Sequence, residues 1–331
     1  MPLIGYHASH EQFSPSELLQ YVQAAEQAGF DGAMCSDHFH PWLPSQAHSA
    51  FAWSWLGAAL QATNLSFGVV NAPGYRYHPA IIAQAAATLA YMYPGRFWMA
   101  VGSGEALNEA ITGERWPYKQ ERNARLRESV EIMRALWRGE TVTHHGLVRV
   151  EEAKLYTRPA EPPMIFAAAV SEQTARWAGE WADGLITIAA PPEEAAKVAD
   201  AFRERAPDKP LLMQVQVAWA DSDDKAVNLA RERWPIVAIS GDVLWDLRQP
   251  EHFQAAIENA DPSVYRENML ATSSIDEIVE RMSRYVEIGF ERLYLHQVGP
   301  DQHRFIETFA ERVLPQVRES SAGAQQPTRL L

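Results

Sequence analysis

A single cysteine, Cys35, stands in 331 residues, and basic residues are scarce. One thiol excludes an intrachain disulfide and any cysteine-clustered metal site. Against 42 Asp and Glu there are 29 Lys and Arg, a net charge of −13. Such a surface repels phosphate backbones, so neither nucleic acid nor anionic membrane is an expected partner. Long apolar runs are missing too, and with them a bilayer span. The start, Leu3-Ile4-Gly5-Tyr6, carries no basic and apolar leader, so a cytoplasmic location is expected. Walker lysine and nucleophile elbow are absent. The dinucleotide fingerprint is incomplete, because Leu107 fills the third glycine's place after Gly102-Ser103-Gly104.

What is present is alternation. Short apolar strands are expected at Leu3 to His7, Gly32 to Ser36, Leu65 to Val70, Phe97 to Val101, Met164 to Ala168, Gly184 to Ile188, Leu211 to Trp219 and Arg292 to His296. Amphipathic helices follow them. The first, Pro15 to Ala28, has Ser14 as N-cap, Glu17 completing a capping box and Gly29 as its stop. Another, around Glu121 to Arg138, turns Leu126, Val130, Met133 and Trp137 one way. Ser274 and Glu277 cap a later helix that ends at Gly289.

Residues 141–156 interrupt the alternation as a hairpin insertion. Residues 221–270 hold helices broken by Pro235, Pro250 and Pro262, an extended connection over the barrel mouth. Eight strand–helix units favour one closed (β/α)8 TIM barrel over residues 1–318, against a weaker two-domain reading. The polar tail, 319–331, is expected to be disordered.

Chemistry gathers where strands end. His7 and Glu11 follow the first, Asp37 and His38 the second, Asn71 the third, Glu105 and Asn108 the fourth. A parallel barrel brings these ends to one face. Singly, each is as easily a loop cap or a satisfied polar side chain; four together favour function. Glu11 and His38 could supply acid–base work. Trp42, among prolines, could wall a ring-shaped ligand or simply pack its loop. His38-x-His40 resembles half a metal-hydrolase site but follows the wrong strand, so no metal ligand is assigned.

Five ordered segments carry a family likeness. They are Gly5-Tyr6-His7-Ala8-Ser9-His10-Glu11-Gln12-Phe13, Ser36-Asp37-His38-Phe39, Arg76-Tyr77-His78-Pro79, Gly104-Glu105-Ala106-Leu107-Asn108-Glu109 and Arg125-Leu126-Arg127-Glu128-Ser129. The chain resembles the luciferase-like flavin oxidoreductases, in the branch of the coenzyme F420-dependent glucose-6-phosphate dehydrogenases. The resemblance implies a barrel, a homodimer, and FMN or coenzyme F420 in its mouth. It implies contacts from Asp37 to the ring and a non-prolyl cis peptide between Val69 and Val70 behind it. Asn71 would lie beside the ring, Glu105 and Asn108 along the cleft, and Ala167 and Ala168 near the phosphate. Glu11, His38 and Trp42 would surround the substrate, with His38 as base and Glu11 as proton donor or acceptor.

Departures refine this. Ala169 and Val170 replace two glycines and crowd the phosphate loop, and Ile188, Ala189 and Ala190 replace a hydroxyl and a glycine. The crowding favours FMN. The basic set for a sugar phosphate is reduced to Arg266, so glucose-6-phosphate is not the expected substrate. The function expected is hydride transfer or monooxygenation on a small organic molecule. A metal-dependent barrel hydrolase and a flavin-binding barrel without turnover are the alternatives.

Overall fold

The computed structural model describes residues 1–239, 241, 243–258, 261 and 263–324. Its strands are β1 Leu3–Ala8, β2 Gly32–Ser36, β3 Ser66–Asn71, β4 Phe97–Val101, β5 Val142–His145, β6 Arg149–Ala153, β7 Ile165–Ala168, β8 Gly184–Ile188, β9 Leu211–Trp219, β10 Leu270–Thr272 and β11 Arg292–Gln297. Parallel ladders run β1-β2-β3-β4-β7-β8-β9-β11, and β11 returns to β1. That closes an eight-stranded barrel. β5 and β6 form an antiparallel hairpin outside it. β10 pairs only with the upper end of β9, at Val217 to Trp219. This short strand closes a region expected to hold helices alone.

Local chemistry starts and stops the helices. In α1 (Pro15–Gln27) the Ser14 and Glu17 side chains satisfy each other's backbone amides. α2 (Ala52–Ala62) and α3 (Pro79–Met92) follow, then the single turn α4 (Ala106–Glu109). α5 (Lys119–Arg138) buries Leu126, Val130, Met133 and Trp137 and stops at Gly139 in the left-handed region. α6 (Glu172–Ala178) and α7 (Pro192–Arg203) follow β7 and β8. Between β9 and β10 come the helices Asp223–Arg233, Val243–Asp246, Pro250–Ala256 and Val264–Asn268. Pro262 lies outside the described residues. A helix over Leu314–Ala324 carries the chain past Glu319, where a structureless tail was expected; the rest of that tail is outside the described residues. No helix among the described residues is long and apolar enough to cross a membrane.

Side chains alternate across each strand, so the barrel has an inner and an outer apolar layer. Met34, Trp98, Ala100, Phe166, Ile186, Leu212 and Tyr294 fill the interior. Burying each large one contributes about 1.5–3 kcal/mol. The indole of Trp98 occupies space that any side chain at residue 68 would need. A Cβ on Gly68 would lie 2.0 Å from Trp98 Cζ2. Floor and glycine are thus one requirement.

The tryptophans of α2 pack on the barrel. Trp53 packs on Phe97 and Trp55 on Phe67, both rings buried. Phe51, Ile81, Tyr91 and Met92 remain exposed there.

Candidate active site

At the carboxyl ends of the strands lies a cavity of about 650 Å³, within the range of small-molecule sites. Glu11, Asp37, His38, Trp42, Val70, Asn71, Glu105, Asn108 and Ala168 line it. Val69 and Ala167 do not. They point outward into the layer between sheet and helices, both buried there. Period two sends only Val70 and Ala168 inward. The expected cis bond is also corrected: every peptide among the described residues is trans. Val69 and Val70 continue regular ladders to β2 and β4, and trans avoids a cost of about 3–4 kcal/mol.

His38 sits between two carboxylates. Its Nδ1 is 3.7 Å from Glu11 Oε1 and its Nε2 is 3.9 Å from Glu105 Oε2. The Trp42 ring lies beside it, centroids 4.9 Å apart. The Ser9 and Ser36 hydroxyls donate to opposite oxygens of Glu11. Burial pushes the Glu11 carboxyl up, but His38 and the Ser36 hydroxyl outweigh it, leaving it below the ordinary value. Burial raises Glu105, opposed by His38 and helped by the Glu11 charge, and there the net shift is upward. One carboxylate is held ionised and the other biased toward its acid form, the divergence that assigns acid and base roles.

Asn108 positions this group. Its Oδ1 accepts from the amides of Phe39, at 2.8 Å, and His40, at 3.3 Å, while Nδ2 donates to Glu105 Oε2 at 3.3 Å. The loop after β2 is thereby tied to the turn after β4. His40 Nδ1 meets Leu107 O at 2.8 Å. Among the described residues, no three His, Cys, Asp or Glu side chains are placed to hold a metal ion.

Gly104 makes the turn after β4 possible. Its φ is +83°, and a Cβ there would come within 2.9 Å of Glu109 Cγ. Asn71 Nδ2 donates to Ala100 O at 3.1 Å, and Oδ1, though buried, has no partner. In the loop after β7, Ala169 and Val170 both line the cavity, and Val170 is exposed. Arg266 is exposed and outside the cavity wall.

Asp37 is committed to the protein. Tyr77 donates to it at 3.0 Å, Trp53 Nε1 at 3.1 Å, and Arg76 Nη2 stands 3.6 Å away. Burial raises its carboxyl, with Arg76, Tyr77 and Trp53 opposing. Arg76 also pairs with Glu109 at 3.6 Å and donates its backbone amide to it at 2.9 Å. This three-residue network was not foreseen, although Arg76, Tyr77 and Glu109 all stood in quoted motifs. Beneath it His7 and His296 lie 4.6 Å apart, and Gln214 reaches His296 Nδ1 at 3.3 Å.

Glu109 gives a pH signature. Burial pushes it up to about 7, with Arg76 opposing. The folded protein keeps a proton that the unfolded chain releases near 4.5. Its contribution to stability is therefore full below about pH 4.5 and is lost as pH rises toward about 7. Glu109→Gln should flatten this part of the Tm profile between about pH 5 and pH 7. Calorimetry in which variant and wild-type profiles run parallel over that window would refute it.

Residues 3–292 match the model of the luciferase-like monooxygenase family. The F420-dependent glucose-6-phosphate dehydrogenase of Segniliparus rotundus is 37% identical over 328 residues, covering 95% of this chain and 98% of the relative. That of Microbacterium testaceum is 36% identical over 331 residues, with 96% and 98% covered. Among solved structures, an F420-dependent secondary alcohol dehydrogenase in complex with an F420–acetone adduct superposes with a TM-score of 0.88. It is 34% identical, with 96% of this chain and 99% of that one covered. A family model spanning most of the barrel and relatives above one-third identity agree with the geometry: the chain belongs to the luciferase-like monooxygenase family and is an oxidoreductase of its F420-dependent branch.

Proposed function

We propose that this enzyme is a coenzyme F420-dependent dehydrogenase acting on a small neutral secondary alcohol or the matching ketone. The observation that carries the proposal is His38, set between Glu11 and Glu105 under an apolar wall. Trp42 packs with Trp234, Ile236 and Phe253 on that side, and Val237, Ile239 and Leu244 complete the lining. A sugar phosphate needs fixed cations around its phosphate, and this apolar wall supplies none. F420 is preferred to FMN because relatives above one-third identity are named for F420.

The residues suit such a ring. The open Asn71 Oδ1 can accept from a ring N–H, and Val70, Ala168 and Ile186 offer apolar surface to its face. Ala168 to Ser171 line the part of the cavity suited to the ribityl phosphate. When bound, the deazaflavin would accept or return a hydride. His38 then takes the proton from the substrate hydroxyl as the carbonyl forms. Glu11, ionised by its setting, stabilises the resulting imidazolium. Glu105, on the opposite side of His38 and biased toward its acid form, would supply the proton that a deazaflavin takes up with its hydride, and the proton His38 gains from the hydroxyl balances it. Trp42 closes the substrate side against water.

The test is reconstitution. The protein should bind F420, and a secondary alcohol should bleach its visible absorption. Mass spectrometry of the small molecule released on denaturation distinguishes F420 from FMN. Binding of neither, together with metal-dependent hydrolysis, would overturn the proposal. Tight cofactor binding without reduction by any alcohol would leave a binding barrel instead.

A further inference from the structure

We infer that Lys119 and Arg122 form an anion subsite at the cavity rim that receives the acidic tail of the bound cofactor. The inference rests on the reading that a deazaflavin or flavin occupies the cavity. Both residues line that cavity and stand three apart on the first turn of α5, hence on one helix face.

Arg122 is 5% exposed. Its guanidinium stacks on Trp116, 4.6 Å from the ring centroid, and Nη1 donates to Pro117 O at 3.1 Å. Its Nε is enclosed, with no hydrogen-bond partner among the described residues. Arg122 lines the cavity, so what it offers a ligand there is its charge. Lys119 is half-buried, and among the described residues no carboxylate lies within ion-pair distance of its ammonium. The carboxylate facing Arg122 is Asp246, 3.5 Å from Nη1, largely exposed and shared with Trp116 Nε1. Among the described residues two cations face one carboxylate at this rim, a local excess of positive charge. Elsewhere the lining carries Glu11, Glu172 and Glu194, so an anion is repelled there and drawn here. No side chain caps the first amides of the twenty-residue α5, whose dipole adds to the same sign.

The chemistry of the ligand follows. FMN ends in a phosphate monoester, and F420 runs on through a phosphodiester to glutamyl carboxylates. With the phosphate at Ala168 to Ser171, the carboxylates of the F420 extension are the charges that would reach this rim.

Fluorescence titration of wild type and Lys119→Gln with F420 and with its tail-less ring analogue tests this. Losing one charge-assisted contact should weaken F420 binding roughly tenfold, with Lys119→Glu weaker again. Affinity for the tail-less analogue should be unchanged in both variants. Equal losses for the two ligands would mean a disturbed ring site and overturn the inference. Unchanged F420 affinity would also overturn it, as would a raised substrate KM with cofactor Kd unaltered, which would make this a substrate subsite. If wild type binds neither ligand, the cofactor reading beneath it falls instead.

Discussion

His38→Ala should lower kcat about 10²- to 10⁴-fold while the cofactor still binds, the usual contribution of a positioned acid–base group. The imidazole lies within ion-pair distance of both Glu11 and Glu105, so its loss unlinks the two carboxylates. It also leaves them facing each other across vacated space, and mutual repulsion will raise the Glu105 carboxyl further. Loss of turnover should therefore come with a shifted pH–rate profile, a change that loosened packing alone would not produce. Asp37 is held by Arg76, Tyr77 and Trp53, so the substitution leaves its anchoring intact. Steady-state kinetics and cofactor titration on one preparation check both halves. A kcat close to wild type would remove His38 from the mechanism.

Glu11→Gln is the second large effect, again about 10²- to 10⁴-fold in kcat, because the imidazolium loses the charge that stabilises it. The structure adds a stability cost to this substitution. Ser9 and Ser36 both donate to Glu11, one to each oxygen. A carboxamide keeps one acceptor oxygen and offers an amino group to the other hydroxyl, which must then turn away. A buried hydroxyl left short of a partner costs about 1–3 kcal/mol, so Tm should fall as well. Turnover and melting together separate the roles: a lower Tm with unchanged kcat would make Glu11 a loop anchor only.

Much of the barrel was legible because its punctuation is local. Ser14 with Glu17, Ser274 with Glu277 and Gly289 each act within a few residues, and such signals survive in one sequence. β10 was not, since three residues carry no measurable period and its partner lies at the far end of β9. Parity was a subtler loss. Parallel strands are apolar on both faces, so nothing in Val69-Val70 or Ala167-Ala168 tells which member looks inward. The convergence of Glu11, His38, Glu105 and Asn108 followed from topology, as the ends of strands one, two and four must meet. The Arg76 network depends on Asp37, 39 residues back in sequence, and Glu109, 33 ahead, and on side-chain directions fixed only by packing. Lys119 and Arg122 carried no motif at all.

The Trp98 indole over Gly68, with Met34, Phe166, Leu212 and Tyr294 around it, makes the cavity a cul-de-sac. Nothing bound in the mouth can leave through the barrel, so reactants come and go on the side where the strands end. The plug that stabilises the barrel thus also decides which end of it does the trading.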